Sequence, residues 1–274
     1  MAVTLTVSDF NVEIANYNKS SYLRKLSDTK TSALSEYIKE LYYVVYDKSG
    51  KEVKRLYQFI ENGNFSCLKD SLPKGDYIVV VVGSKQFFSI NSGYHAGWYQ
   101  EYNDSKVYFP LPVEYMEYTR SLIPSYNADD TFFKKFLLKV ADKSVSESIS
   151  LDRIVGKLKL NIEDAEKDLS LTIHDDANQF AFDTEKAQGS IFELLQDVFV
   201  VNNSMSKISV FILQTDKSVH ITSKSGRASK TLDVPIYKNK RNIVTGKLFP
   251  RTGLTSSFNV SVNDTWGEDH VVKF

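Results

Sequence analysis

The side chains that could carry chemistry are few and scattered. The four histidines, His95, His174, His220 and His270, lie in unrelated contexts, and none falls in HExxH or another metal-ligand spacing. Ser27-Asp-Thr-Lys30 has the SxxK spacing that sets a lysine amine one helical turn from a nucleophilic serine. Neither SDN nor KTG accompanies it, so the match reads as chance. Asn127-Ala-Asp-Asp130 and His174-Asp-Asp176 gather oxygens of the kind Ca2+ coordinates, but each cluster is too small by itself, and both read as solvated turns. The GxSxG elbow, the GxGxxG loop and the phosphate-cradling GxxxxGK loop are absent. The single cysteine, Cys67, has no internal disulfide partner and excludes cysteine-rich zinc sites; it reads as a small buried hydrophobe in a strand over Phe65–Leu68. No catalytic residue, metal site or cofactor site is expected.

Aromatic contact is the other chemistry available. Between Ser84 and Asp130 the strand pattern gives way to a long segment rich in Phe, Tyr and Trp. Loops of this length in compact domains are usually functional or disordered. Trp98, Tyr99 and Tyr102 offer flat apolar faces with polar edges, which suit sugar rings or protein partners, and they are the candidate ligand contacts. The competing reading has these rings folding back to cover the end of a β-sandwich.

Strands must position these groups. The chain opens on an alternation, Val3, Leu5, Val7 and then Phe10, Val12, Ile14. Residues 16–39 are loosely patterned, as a short helix or a crossing loop. Leu41–Tyr46, Asp47–Gly50 and Lys51–Phe59 read as a hairpin turning at Gly50. The turn Leu72–Asp76 leads into the apolar run Tyr77–Val82, as expected for a central strand buried on both faces. Phe132–Ala141 resumes a strand. After a polar run, Ile154, Gly156, Leu158, Leu160 and Ile162 share one face against Val155, Lys157, Lys159 and Asn161 on the other. Further short strands follow at Leu169–Ile173, Lys207–Gln214, Val219–Ser223, Lys230–Pro235, Asn242–Phe249, Ser257–Asn263 and His270–Phe274, with Ser190–Val201 a short helix or an irregular edge. Regularly spaced short strands with turn signals predict a sandwich or barrel. The expected domains are residues 1–147, a β-sandwich with the aromatic-rich insertion 84–130, and residues 148–274, a second β-sandwich.

Bulk composition narrows the function. With 34 basic and 34 acidic residues the formal net charge is zero, so no electrostatic footprint for nucleic acid or anionic lipid is visible. No apolar stretch reaches the roughly 18 residues of a membrane span, and no signal-type segment precedes Val3.

Three segments carry a family likeness. Leu151–Asp164 (LDRIVGKLKLNIED), Val234–Phe249 (VPIYKNKRNIVTGKLF) and Phe258–Trp266 (FNVSVNDTW) resemble the fimbrillin-like proteins of Bacteroidetes, especially the minor fimbrial anchor family. Leu41–Gly50 and Leu72–Tyr77 are similar to that family's first-domain hairpin and its turn into the central strand. The likeness covers nearly the whole chain apart from Phe87–Tyr126. It implies an all-β fold of two tandem transthyretin-like Greek-key β-sandwich domains, in a non-enzymatic protein of surface fimbriae and adhesion. It implies partners that are other fimbrial subunits, joined by β-strand addition, and host or microbial surface ligands; Val3, Leu5 and Val7 are candidate contacts for the added strand. It implies membrane attachment only through a removed N-terminal lipid anchor, since family members carry an export signal and a lipid-bearing cysteine ahead of the first strand. Stalk subunits polymerise with a donor strand. The sequence given ends at Val271–Phe274 without one, so the expectation is an anchor or terminal subunit. The alternative expectation is a surface glycan-binding protein using the aromatic segment.

Overall fold

The computed structural model describes residues 1–11, 34–61, 65–85, 88–90, 106–108, 129–164, 169–177, 179–188, 194–198, 206–225, 228–247 and 258–263. Among these the chain is all-β, with nineteen strands and one four-residue helix. In order they are β1 (Ala2–Asn11), α1 (Leu34–Tyr37), β2 (Glu40–Tyr46), β3 (Glu52–Phe59), β4 (Cys67–Ser71), β5 (Gly75–Ser84), β6 (Ser89–Ile90), β7 (Lys106–Tyr108), β8 (Thr131–Val140) and β9 (Val145–Arg153). They continue with β10 (Gly156–Ile162), β11 (Leu169–His174), β12 (Gln179–Ala181), β13 (Lys186–Gln188), β14 (Leu194–Val198), β15 (Ser206–Ile212), β16 (Ser218–Ser225), β17 (Ala228–Pro235), β18 (Arg241–Gly246) and β19 (Phe258–Asn263). Two compact units divide them: the described parts of Met1–Gln86 and Asp130–Arg153 form one, and those of Phe87–Asp129 and Ile154–Asn263 the other. The polar run before the mid-chain restart forms most of β9 in the first unit, and the restart itself is β10 in the second.

The first unit is one seven-stranded sheet in the order β3-β2-β5-β8-β9-β1-β4. β8 and β9 pair only at Phe132↔Arg153 and Phe133↔Asp152, and there the sheet folds over on itself. Val3, Leu5 and Val7 of β1, Leu68 of β4 and Leu151 of β9 then share one core with Tyr43, Val45, Val79 and Val81 from the other side. The run Tyr77–Val82 behaves as its sequence predicts: Val79, Val80, Val81 and Val82 are all fully buried although successive side chains point to opposite faces. The hairpin β2–β3 turns at Gly50 with φ of 85°, the left-handed region that glycine enters at little cost. The opening alternation changes parity because β1 carries a bulge. Val7 stands opposite Ile149, but Asp9 stands opposite Ser150, so Ser8 is extra and Phe10 comes into register with Leu151.

In the second unit two four-stranded sheets, β15-β10-β18-β19 and β14-β11-β16-β17, supply one core: Leu158, Leu160, Ile162, Val210 and Val244 from the first sheet, and Ile173, Val219, Ile221 and Val234 from the second. Segment 190–201 thus includes a strand, β14, at the edge of its sheet. Gly156 opens β10 where no side chain fits, since a Cβ there would lie 2.5 Å from Ile236 Cγ2 and 2.7 Å from the Tyr237 carbonyl oxygen. A third sheet, β13-β12-β7-β6, joins the described strands of segment 84–130 to β12 through Gln179↔Tyr108, Phe180↔Val107 and Ala181↔Lys106. The strand expected at His270–Phe274 lies outside the described residues.

Candidate functional site

Of the candidate contacts named from sequence, Val3, Leu5 and Val7 are described, and Trp98, Tyr99 and Tyr102 lie outside the described residues. β1 is held on both edges. It pairs antiparallel with β4 from Ala2↔Ser71 to Thr6↔Cys67, and parallel with β9 from Val3↔Val145 to Asn11↔Asp152. Val3, Leu5 and Val7 are 1%, 0% and 3% exposed, and they fill the first unit's own core. Burying such side chains contributes about 1.5–3 kcal/mol each. What the arrangement can do is hold an extended strand in a two-sided slot, with backbone bonds fixing register and alternate apolar side chains filling one face.

Facing that slot's edge, β3 and β4 are the two ends of the strand order, yet side chains join them. Gln58 Nε2 donates to the Cys67 carbonyl oxygen at 2.9 Å, and the Ser66 N–H donates to Gln58 Oε1 at 3.1 Å, so one amide imitates a ladder pair. Lys54 Nζ forms an ion pair with Asp70, whose side chain is 1% exposed. Burial first, and then the Asp70 charge, raise the Tyr43 phenol well above its usual range. Cys67 is half-buried here rather than a core residue.

At one end of the first unit an open depression of about 560 Å³ is lined by Asp47, Lys48, Lys74, Asp76, Tyr77 and Lys139, among others. Its charges are largely matched. Lys48 lies 2.8 Å from Asp76, and Lys74 lies 3.0 Å from Asp142 just outside it. The Asp47 carboxylate accepts from the Ser49 N–H and hydroxyl and from the Lys51 N–H, and the Ser49 hydroxyl chiefly lowers its pKa. Such a surface offers hydrogen bonds to a polar ligand.

The two clusters read as solvated turns prove to be partly internal. Asp130 is 6% exposed and Arg153 2%; Arg153 Nε donates to Asp130 Oδ1 at 2.6 Å and Nη2 to Oδ2 at 3.0 Å, with the guanidinium 4.8 Å from the centre of the Phe132 ring. Asp176 is fully buried. Its Oδ1 accepts the N–H groups of Ala177, Leu213 and Gln214 at 2.8, 3.1 and 2.9 Å, tying the chain after β11 to the turn between β15 and β16, while Oδ2 has no hydrogen-bond partner. Burial pushes the Asp176 carboxyl up to about 7 against the pull of those three bonds. Only Asp175 of that triplet stays exposed as a turn residue, 3.4 Å from His220 Nε2, whose Nδ1 side meets Asp233. Sequence could not separate these cases, because an Asp in a turn reads alike whether its partners are water or distant backbone. Among the described residues no group of three or more His, Cys, Asp or Glu side chains is arranged to hold a metal ion, and no helix is long and apolar enough to cross a membrane.

The family model described as "Fimbrillin-A associated anchor proteins Mfa1 and Mfa2" matches residues 2–272. The chain belongs to this anchor family. A comparison with curated proteins by sequence finds no match. Among solved structures, this family member is similar to the fimbrial anchor protein Mfa2 of Porphyromonas gingivalis, with a TM-score of 0.58 at 8% identity over 96% of this chain and 97% of that one. It is also similar to a candidate polysaccharide-binding protein of Bacteroides thetaiotaomicron, with a TM-score of 0.63 at 11% identity over 98% and 99% of the two chains. A candidate adhesin of the same species has a TM-score of 0.58 at 14% identity over 85% and 90%. At these identities the likeness is one of fold. The anchor family is one of fimbrial proteins at the cell surface and not of enzymes.

Proposed function

We infer that the chain is a non-enzymatic anchor or terminal subunit of a surface fimbria, joined to neighbouring fimbrial subunits by β-strand addition. Its two units are then tandem transthyretin-like sandwiches, held at the outer membrane by a lipid on a cysteine ahead of the mature first strand. The observation that carries the reading is the family match across residues 2–272. The seating of β1 supports the mechanism: a strand with Val3, Leu5 and Val7 on one face lies between β4 and β9, in the kind of slot that an added strand occupies. Deleting the gene in its own cell tests the role. An anchor or terminal subunit leaves fimbriae altered in length or shed into the medium, whereas unchanged length and retention contradict it.

A second reading, glycan binding through Trp98, Tyr99 and Tyr102, is favoured by the fold shared with the candidate polysaccharide-binding protein. A glycan array decides it: dose-dependent binding lost in Trp98→Ala supports this reading, and an array with no binding removes it.

A further inference from the structure

The two ends of β1 lie at opposite ends of the first unit. At one end the Met1 carbonyl accepts from the Leu72 N–H at 3.1 Å, and Val3 stands opposite Val145. Parallel pairing then runs to Asn11, opposite Asp152 and so beside Arg153. The chain passes to the second unit after Gln86, comes back at Asp130 and leaves again after Arg153. Its passage at Asp264 lies outside the described residues. These three passages gather at the Asn11 end, where Arg153 stands opposite Phe132 and Thr131 opposite Ser84. Short-range bonds tie them together. Arg153 is paired with Asp130, the buried Ser84 and Thr131 hydroxyls are 3.1 Å apart, and the Lys85 N–H donates to the Asp130 carbonyl at 3.1 Å.

This placement decides how tension acts on β1. A pull on its N-terminal end, opposed at the passages, runs along the strand, so the eight pairs with β9 and the five with β4 bear it together. A pull that parts Met1 from Val145 instead opens the β9 ladder one pair at a time. Forced unfolding follows the unfolding barrier rather than equilibrium stability, so one ladder resists strongly in the first direction and weakly in the second. Alternation shows which residues bond to β9. The N–H and C=O of one residue point to the same side of a strand, and the sides alternate along it. The Val7 N–H donates to the Ser66 carbonyl at 3.0 Å, just ahead of β4, and the Met1 carbonyl accepts from Leu72, just after it. Before the bulge, odd-numbered residues therefore bond to the β4 side, and the Thr4 and Thr6 N–H groups face β9.

We propose that the first unit is a tension clamp, in which β1, sheared against β9 and β4, carries pull between a tether ahead of the first strand and the second unit. The proposal rests on the reading of the chain as an anchored fimbrial subunit. Single-molecule force spectroscopy on the full chain tests it, with Cys67→Ser removing the native thiol, one handle ahead of Met1 and the other on an introduced thiol. Lys85→Cys sets the second handle at the passages and Lys143→Cys sets it near Val145; both lysines are exposed. At one loading rate the pull between Met1 and position 85 opens the unit at a several-fold higher force than the pull between Met1 and position 143. Thr4→Pro removes one donor facing β9 and lowers the force of the first pull. Equal forces in the two geometries overturn the proposal, and so does a folded Thr4→Pro chain that resists as strongly as wild type. Comparing the two pulls needs no change within the ladder, so the test stands even where Thr4→Pro does not fold. Equal forces, with fimbriae still shed or altered in length when the gene is deleted, overturn the clamp and leave the fimbrial reading standing. A high force in the first pull, with fimbriae unchanged by deletion, supports the clamp and removes its fimbrial load.

Discussion

Asp176 allows a quantitative test of the second unit. Its carboxyl is pushed up to about 7 by burial, from the ordinary value of 3.8. Below about pH 4 both folded and unfolded chains hold the proton, and the site makes no difference to stability. As pH rises the unfolded chain releases the proton first, so stability falls by about 1.4 kcal/mol per pH unit until the folded carboxyl also ionises. The loss reaches about 4 kcal/mol above pH 7, an order-of-magnitude figure for a carboxyl that ionises roughly three pH units later in the folded chain than in the unfolded one. Asp176→Asn keeps an oxygen for the N–H groups of Ala177, Leu213 and Gln214 and cannot ionise. Its Nδ2 stands where the wild-type carboxyl, while protonated, carries an O–H that is equally without a partner. The two proteins therefore differ little near pH 4, and the variant gains on the wild type as pH rises, becoming the more stable by pH 8. The assay is urea unfolding of both proteins from pH 4 to 8, with the difference between them plotted, so that carboxylates common to both cancel. Two parallel curves would refute the burial argument.

Other parts of the fold give further expectations. Asp130→Asn leaves Arg153 buried against a neutral partner and destabilises the first unit by about 3–5 kcal/mol, whereas the double replacement Asp130→Leu/Arg153→Met recovers much of this loss in thermal unfolding. Gly156→Ala drives a Cβ against Ile236 and the Tyr237 carbonyl and costs about 1–3 kcal/mol by urea unfolding; a neutral result would contradict the described packing. Leu5→Ala, at a fully buried site, lowers stability by about 2–5 kcal/mol, and wild-type behaviour would mean that β1 does not sit in its slot.

How far the fold could be read in the sequence depended on distance along the chain. The β2–β3 hairpin was legible because Asp47–Gly50 and its flanking alternation act over a few residues, and β5 because Tyr77–Val82 has no polar side for water. The parity change after Val7 is a visible trace of the bulge at Ser8. The strand order was not legible. That β1 pairs parallel with β9, more than a hundred residues away, depends on which edges remain after the local hairpins form, and no local pattern records this. The candidate site divides in the same way. Alternation marked Val3, Leu5 and Val7 as one apolar face, but only the folded sheet shows that this face is turned inward. Asp130 and Asp176 were misread because their partners, Arg153 and the Leu213–Gln214 backbone, are distant in sequence.

Size-exclusion chromatography with light scattering, on the purified chain mixed with its cognate fimbrial shaft subunit, addresses assembly without assuming which strand is exchanged. A fimbrial anchor or terminal subunit elutes with its partner as one species whose mass is the sum of the two chains, and the complex persists on dilution because strand addition buries a continuous ladder. Two separate peaks with the masses of the free chains, at concentrations where shaft subunits associate with each other, would contradict the account.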